Sequence, residues 1–236
     1  MITSKDNKKI KYLFKLYNDK KFREMENAFI VESYNVVEEA QNAGILKEVY
    51  SLKEEKKYPN SIIITKEILE KITDSITPQG IIGVCERRLN NKLGEKILYL
   101  DHLQDPQNVG ALLRSARAFE FDTLVLDNCV DLLNPKTIRV SEGNLFHLNF
   151  VSKSIDELKE LGYTILATSM NGKELERYTE KDKKVVLVLG NEGNGVSKSI
   201  LKKSDLNLTI KMKDTESLNV AVAGAIIMHH LSYEIK

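Results

Sequence analysis

The sequence predicts an α/β protein in two parts, a small α/β unit followed by a larger one built on a parallel sheet. Three observations lead there. At 236 residues the chain is long for one compact core and natural for two. Near-continuous apolar runs such as Val185-Val-Leu-Val-Leu189 alternate with helix-period segments, the pattern of strands covered on both faces. A polar run, Glu86 to Glu95 (ERRLNNKLGE), reads as a linker and places the boundary near residue 92.

The first part opens with a helix, since Ile10, Leu13, Phe14 and Tyr17 fall on one helical face. Ala28 to Val31 reads as a strand, residues 34 to 43 as a helix closed by Gly44, and Ile45 to Leu52 and Ser61 to Thr65 as strands. Thr65 caps a short helix over Lys66 to Thr73. After a turn at Thr77-Pro-Gln-Gly80, the strand Gly80 to Cys85 completes the unit. The second part begins with the strand Lys96 to Leu103 and a strongly amphipathic helix over Val109 to Phe119. Strands follow at Thr123 to Leu126, His147 to Val151, Tyr163 to Ser169, Lys184 to Leu189 and Leu208 to Met212, and a helix over Leu218 to Ile235 ends the chain.

Composition excludes several classes. With 42% hydrophobic and 29% charged residues, the chain is neither disordered, collagen-like nor a disulfide miniprotein. Its longest apolar stretch, Val220 to Met228, is far short of the roughly 20 residues of a membrane span, and no signal-peptide h-region is present. Cys85 and Cys129 lie far apart without metal spacing, so reduced thiols, a cytoplasmic location and no metal site are expected. Overall charge is balanced, but residues 1 to 23 carry eight basic against two acidic side chains, interleaved with Tyr12, Phe14, Tyr17 and Phe22. That mixture suits an RNA surface, although taken alone it more often marks a solvated amphipathic helix.

In sheets of this class ligands bind at loops leaving the C-terminal strand ends. Three such loops carry polar residues. In the first, Asn108 stands where a helix starts, as an N-cap would, and Arg114 and Arg117 project from that helix. The second, Gly190-Asn-Glu-Gly-Asn-Gly195, packs three glycines into six residues, which lets a ligand approach backbone N–H groups. Its G-x-x-G-x-G spacing is neither the dinucleotide fingerprint nor a P-loop, which argues against a nicotinamide-dependent oxidoreductase. In the third, Ser217 reads as a helix N-cap and Asn219 as a first-turn polar residue. His229 and His230 are adjacent on a helix, face different directions and read as structural.

Taken together, D-P-Q-N-V-G-A-L-L-R-S-A-R-A-F (105 to 119), L-V-L-G-N-E-G-N-G-V-S (187 to 197) and E-S-L-N-V-A-V-A (216 to 223) resemble the three motifs of the SpoU (TrmH-type) branch of the SPOUT RNA ribose 2′-O-methyltransferases. A-F-I-V-E-S-Y-N-V-V-E-E-A and T-P-Q-G-I-I-G-V resemble the L30e-like substrate-binding domain often attached to it. The resemblance implies an L30e-like domain over residues 1–92 and a SPOUT methyltransferase domain over 93–236, with a parallel sheet and a C-terminal deep trefoil knot. It implies S-adenosylmethionine as methyl donor, a homodimer packed through the knot, and RNA as substrate, ribosomal RNA ahead of transfer RNA. An RNA-binding protein that keeps the fold without catalysis is the competing class.

Carried over position by position, the resemblance implies cofactor contacts at Leu189, Gly190, Asn191, Glu192, Gly195, Ile210, Met212, Ser217 and Leu218. It implies catalytic roles for Asn108, Arg114, Glu192, Ser217 and Asn219. Arginine stays protonated far above neutral pH, so Arg114 suits orientation of the hydroxyl and adjacent phosphate better than proton abstraction. Departures from the family pattern are Lys211 in place of a proline, Asp214-Thr215 in place of a glycine-containing stretch, and Ser33 where glycine is common.

Overall fold

The computed structural model describes residues 1–88, 91–179, 184–215 and 217–233. Residues 89–90 of the expected linker, Glu216 of the third motif and Ile235 at the end of the expected last helix lie outside them. The chain forms two compact units, Met1–Arg88 with Asp131–Phe146, and Leu89–Val130 with His147–Lys236. This division breaks the chain at Arg88/Leu89, close to the expected cut near residue 92, and it also places residues 131–146 with the first unit.

The first unit holds α1 (Lys8–Asn18), α2 (Lys20–Glu26), β1 (Ala28–Glu32), α3 (Tyr34–Asn42), β2 (Leu46–Ser51), β3 (Ile62–Ile63), α4 (Lys66–Ile72) and β4 (Ile81–Glu86), joined by α6 (Pro135–Ser141). Its sheet runs β1-β4-β2-β3, antiparallel except for the β2–β3 pair. The buried face of α1 is Ile10, Leu13, Leu16 and Tyr17, so Leu16 takes the place expected of Phe14, which is exposed. These side chains meet Ile30, Ile68, Leu69 and Ile82 in one apolar cluster. Thr65 occupies the cap position of α4 without a side-chain capping bond. Ser33 holds a backbone φ of +79°, a glycine-like conformation, and its hydroxyl accepts from Val36 N at 3.4 Å to cap α3.

Helix α6 is held on this unit by charge. Arg139 Nη2 donates to Glu32 Oε1 at 2.9 Å and to Asp74 Oδ1 and Tyr17 Oη, both at 3.1 Å. The buried Arg23 donates through Nη2 to Asp131 Oδ2 at 2.6 Å and through Nη1 to the carbonyls of Leu16 and Tyr17.

The second unit contains β5 (Lys96–Asp101), α5 (Pro106–Ala118), β6 (Thr123–Asp127), β7 (Asn149–Phe150), α7 (Ile155–Glu160), β8 (Thr164–Glu174), β9 (Val185–Gly190), α8 (Lys198–Lys203), β10 (Leu206–Thr209) and α9 (Val220–Tyr233). Its six strands pair in the order β10-β8-β9-β5-β6-β7, all parallel. All six residues of β9 are buried, as the continuous apolar run requires. Among the described residues no helix is long and apolar enough to cross a membrane.

Two starts differ from expectation. Helix α5 begins at Pro106 with Asp105 as its cap, accepting from Gln107 N at 2.9 Å; proline at the first helical position costs no backbone bond. Helix α9 begins at Val220, and the side chain of Asn219, not that of Ser217, accepts from Ala221 N at 2.9 Å and Val222 N at 3.3 Å. Both shifts bear on the site.

Candidate active site

Because Asp105 caps α5, the side chain of Asn108 is released from the capping role and points elsewhere. Its Nδ2 donates to Glu192 Oε1 at 3.1 Å, and its Oδ1 accepts from Asn219 Nδ2 at 2.9 Å. The three loops picked out in the sequence thus meet in one chain of hydrogen bonds, Asn219 to Asn108 to Glu192, with Asn108 itself buried. Partial desolvation works to raise the Glu192 carboxyl. Hydrogen bonds from the Asn108 amide and from backbone N–H groups outweigh it and hold the carboxyl below its ordinary range. A carboxylate is therefore present at neutral pH.

Glu192 belongs to a loop shaped by its glycines. A Cβ on Gly190 would lie 2.0 Å from Val196 N, so only glycine permits the loop to fold back on itself. Gly195 adopts φ +67° in open space, and its N–H donates to the Asn191 carbonyl at 2.9 Å. The Asn191 side chain is spent inside the protein: Oδ1 accepts from Gly193 N and Asn194 N at 3.0 and 3.2 Å, and Nδ2 donates to the His102 carbonyl at 2.9 Å. Any ligand contact at this position falls to its backbone.

The loop forms one wall of a cleft of about 720 Å³ beside the middle of β8 and at the C-terminal ends of β9 and β10, a volume within the range of small-molecule sites. Eight of the nine expected cofactor positions, Gly190, Asn191, Glu192, Gly195, Ile210, Met212, Ser217 and Leu218, line it. Leu189 does not; it is buried in β9, where it packs under α9 close to Gly224. Thr168, Ser169 and Met170 of β8 also line the cleft and went unnoticed in the sequence. Their one signal was position, since they stand where the strand Tyr163 to Ser169 was expected to end. The altered third motif keeps a turn without its glycine, for Asp214 sits at φ +61°, which short polar side chains tolerate. Lys211, in place of proline, pairs with Glu174 at 3.6 Å.

Arg114 and Arg117 lie on exposed positions of α5. Six residues past Asn108, Arg114 is turned about 120° round the helix from it. The side-chain bonds described to Glu192 come from Asn108 and Asn191. His229 stacks edge-on against Phe119, with ring centroids 5.4 Å apart, and His230 lies 3.1 Å from the Tyr178 carbonyl; both are packing residues.

Among the described residues the cleft combines apolar walls (Leu208, Ile210, Met212, Leu218), a backbone-rich glycine loop and one carboxylate. Such a lining fits a ligand with a flat heteroaromatic end and a positive charge. A model of the SpoU rRNA methylase family matches residues 95–229, more than half of the chain. The chain belongs to the SpoU rRNA methylase family. In the first unit of this SpoU chain, residues 7–83 match a model of an MRM3-like substrate binding domain. The SpoU chain is 36% identical to the 23S rRNA (guanosine(2553)-2′-O)-methyltransferase RlmP of Bacillus subtilis, over 98% of both chains. It is similar to the crystal structure of an RNA 2′-O ribose methyltransferase, with TM-score 0.85 and 25% identity, covering 99% of this chain and 98% of that one. An AdoMet-bound rRNA methyltransferase from Sinorhizobium meliloti has the same fold, with TM-score 0.86, 22% identity and coverage of 100% and 98%.

Proposed function

We propose that this chain transfers a methyl group from S-adenosylmethionine to a ribose 2′-hydroxyl of 23S ribosomal RNA. The observation that carries the reading is the meeting of three motif loops through Asn108, Glu192 and Asn219 at the cleft. The relationship to RlmP across nearly the whole chain supports 23S rRNA as the substrate class. When bound, S-adenosylmethionine supplies an electrophilic methyl on a positively charged sulfur. The cleft fits it in charge as well as size, since the Glu192 carboxylate stands on the wall.

A 2′-hydroxyl is a weak nucleophile until its proton has an acceptor, and the reacting atoms must lie in line, so positioning dominates. In this reading the glycine loop and Ile210, Met212, Ser217 and Leu218 hold the cofactor. Asn108 and Asn219 fix Glu192, whose carboxylate faces the positive charge or receives the incoming hydroxyl. Arg114 orients the ribose and its neighbouring phosphate, and the hydroxyl proton passes to phosphate oxygen or solvent. The first unit supplies RNA affinity through α1. The working form is a cytoplasmic homodimer paired through the second unit, whose C-terminal part forms the family's trefoil knot. The partly exposed apolar residues Leu218, Val222 and Ile226, four apart along the chain, support such a pairing.

The test is transfer of labelled methyl from S-adenosylmethionine to unmodified 23S rRNA and to bulk tRNA in parallel, followed by mapping of the modified ribose. Label on 23S rRNA, lost in Arg114→Ala with cofactor affinity retained, is expected. Label on tRNA alone would replace the substrate, and cofactor binding without transfer to either RNA would point to an RNA-binding protein.

A further inference from the structure

The end of β5 carries a buried carboxylate that none of the motif residues accounts for. Asp101 is 1% exposed, and in the parallel register it stands beside Gly190, the first glycine of the loop. Burying a carboxylate is costly unless it is matched by hydrogen bonds. Its Oδ2 accepts from Ser197 N at 2.7 Å, which is the far end of the loop, and its Oδ1 lies 2.5 Å from His102 Nδ1. The next residue completes the arrangement. His102 adopts φ +61°, and its carbonyl accepts from Asn191 Nδ2 at the near end of the loop. Asn191 in turn gathers the N–H groups of Gly193 and Asn194. The turn of chain at 101–102 therefore holds the loop at both ends, six residues apart, while the span between, Glu192 included, faces the cleft.

Glycines make such a span inexpensive to shape and equally inexpensive to unshape, because they carry the largest conformational freedom of any residue. An unclamped loop would lose that freedom at the moment of binding, at the expense of affinity. We propose that Asp101 and Asn191 are paired positioning residues that preset the glycine loop for S-adenosylmethionine, Asp101 pinning Ser197 and Asn191 pinning the loop's start to the His102 carbonyl. This rests on the reading of the cleft as the cofactor site.

The experiment uses the full chain and the variants Asp101→Ala, Asp101→Asn and Asn191→Ala. Cofactor affinity is measured by calorimetry and amide hydrogen exchange is followed across residues 190–197. Loss of one charge-assisted bond corresponds to about tenfold or more in affinity. Asp101→Ala is expected to weaken S-adenosylmethionine by that factor and to speed exchange at Ser197. Asn191→Ala removes three neutral bonds where Asp101→Ala removes a charge-assisted one, and is expected to weaken affinity by a similar factor, with faster exchange at Gly193 and Asn194. In turnover, KM for the cofactor rises by more than kcat falls. Asp101→Asn keeps an oxygen that can accept from Ser197 N, and it should recover most of the affinity. If Asp101→Ala does not fold, Asn191→Ala, which lies in the loop rather than the core, decides the matter. Faster loop exchange with affinity within twofold of the parent overturns the proposal, and so does weaker affinity with unchanged exchange. A parent chain that does not bind S-adenosylmethionine would instead sink the reading of the cleft, with the exchange data still reporting on the clamp.

Discussion

Asn219 donates from Nδ2 to Asn108 Oδ1 across 2.9 Å, joining the first turn of α9 to that of α5. The same Asn219 caps α9 through its oxygen, so one side chain serves both the stability of a helix and the geometry of Glu192.

That double service separates two substitutions. Asn219→Ala removes a helix cap worth about 1 kcal/mol, and the melting temperature should fall by about 2–4 °C. Asn108→Ala leaves the cap in place. Both break the path to Glu192, and each should lower the methyl-transfer rate by up to about 100-fold, the order expected of a misplaced reacting group. Single-turnover kinetics together with thermal melts check this.

The same geometry makes Glu192 sensitive to acid. Its carboxyl is held below the ordinary value of 4.5, so its ionised form stabilises the folded chain at any pH above that value. The contribution is lost as pH falls through the lowered folded value. The difference in melting temperature between parent and Glu192→Gln should therefore be constant from pH 7 to about pH 5 and shrink below 4.5. Because Glu192 is exposed, solvent screening keeps the difference small. A gap that widens on acidification would reverse the assignment.

Two glycines of one loop should respond in opposite ways. Gly190→Ala drives a Cβ to 2.0 Å from Val196 N, against backbone that has nowhere to go, and should abolish cofactor binding. Gly193→Ala meets nothing nearer than Asn191 Oδ1 at 3.6 Å, and its melting temperature should match the parent. Calorimetric titration and melts of both variants make the comparison.

On α1 the lysines are not equivalent. Lys9 is paired with Glu48 at 3.1 Å and Lys11 with Asp6 at 3.0 Å. Lys8 and Lys15 are exposed and have no ion pair among the described residues. If α1 contacts RNA phosphate, Lys8→Ala with Lys15→Ala should flatten the salt dependence of RNA affinity by about 0.7 per lysine on a single strand, more than the Lys9 and Lys11 pair does. Cofactor affinity should not move. Slopes unchanged from the parent in both double variants would remove α1 from the RNA surface.

Much of this was legible in the chain itself. Strands β1, β4, β5, β6 and β9 fall where apolar runs and turn signals put them, because their patterning is local. Of the two uses the sequence leaves open for Asn108, the cap falls away because Asp105-Pro106 starts the helix three residues before the amphipathic stripe, which begins at Val109. Phe14 and Leu16 exchange places because a helical face is wide enough to admit either, and only the facing residues Ile68 and Leu69 decide. Asp101 and His102 were invisible as loop anchors, since their partners lie about 90 residues away and no local spacing encodes them.

The membership of residues 131–146 in the first unit has a consequence for how such a protein can be cut, spliced or recombined. A gene fragment beginning at residue 93 would carry Arg139 and Asp131 but not Glu32, Asp74, Tyr17 or Arg23, with which they pair. It would also uncover Ile138 and Leu145, which are buried in the whole chain. A chimera exchanging the first 92 residues between relatives would inherit mismatched halves of the same ion pairs. The inheritable module of the first unit is thus two separate stretches of sequence, and substitutions at Arg139 and Glu32 are expected to be tolerated together more readily than apart.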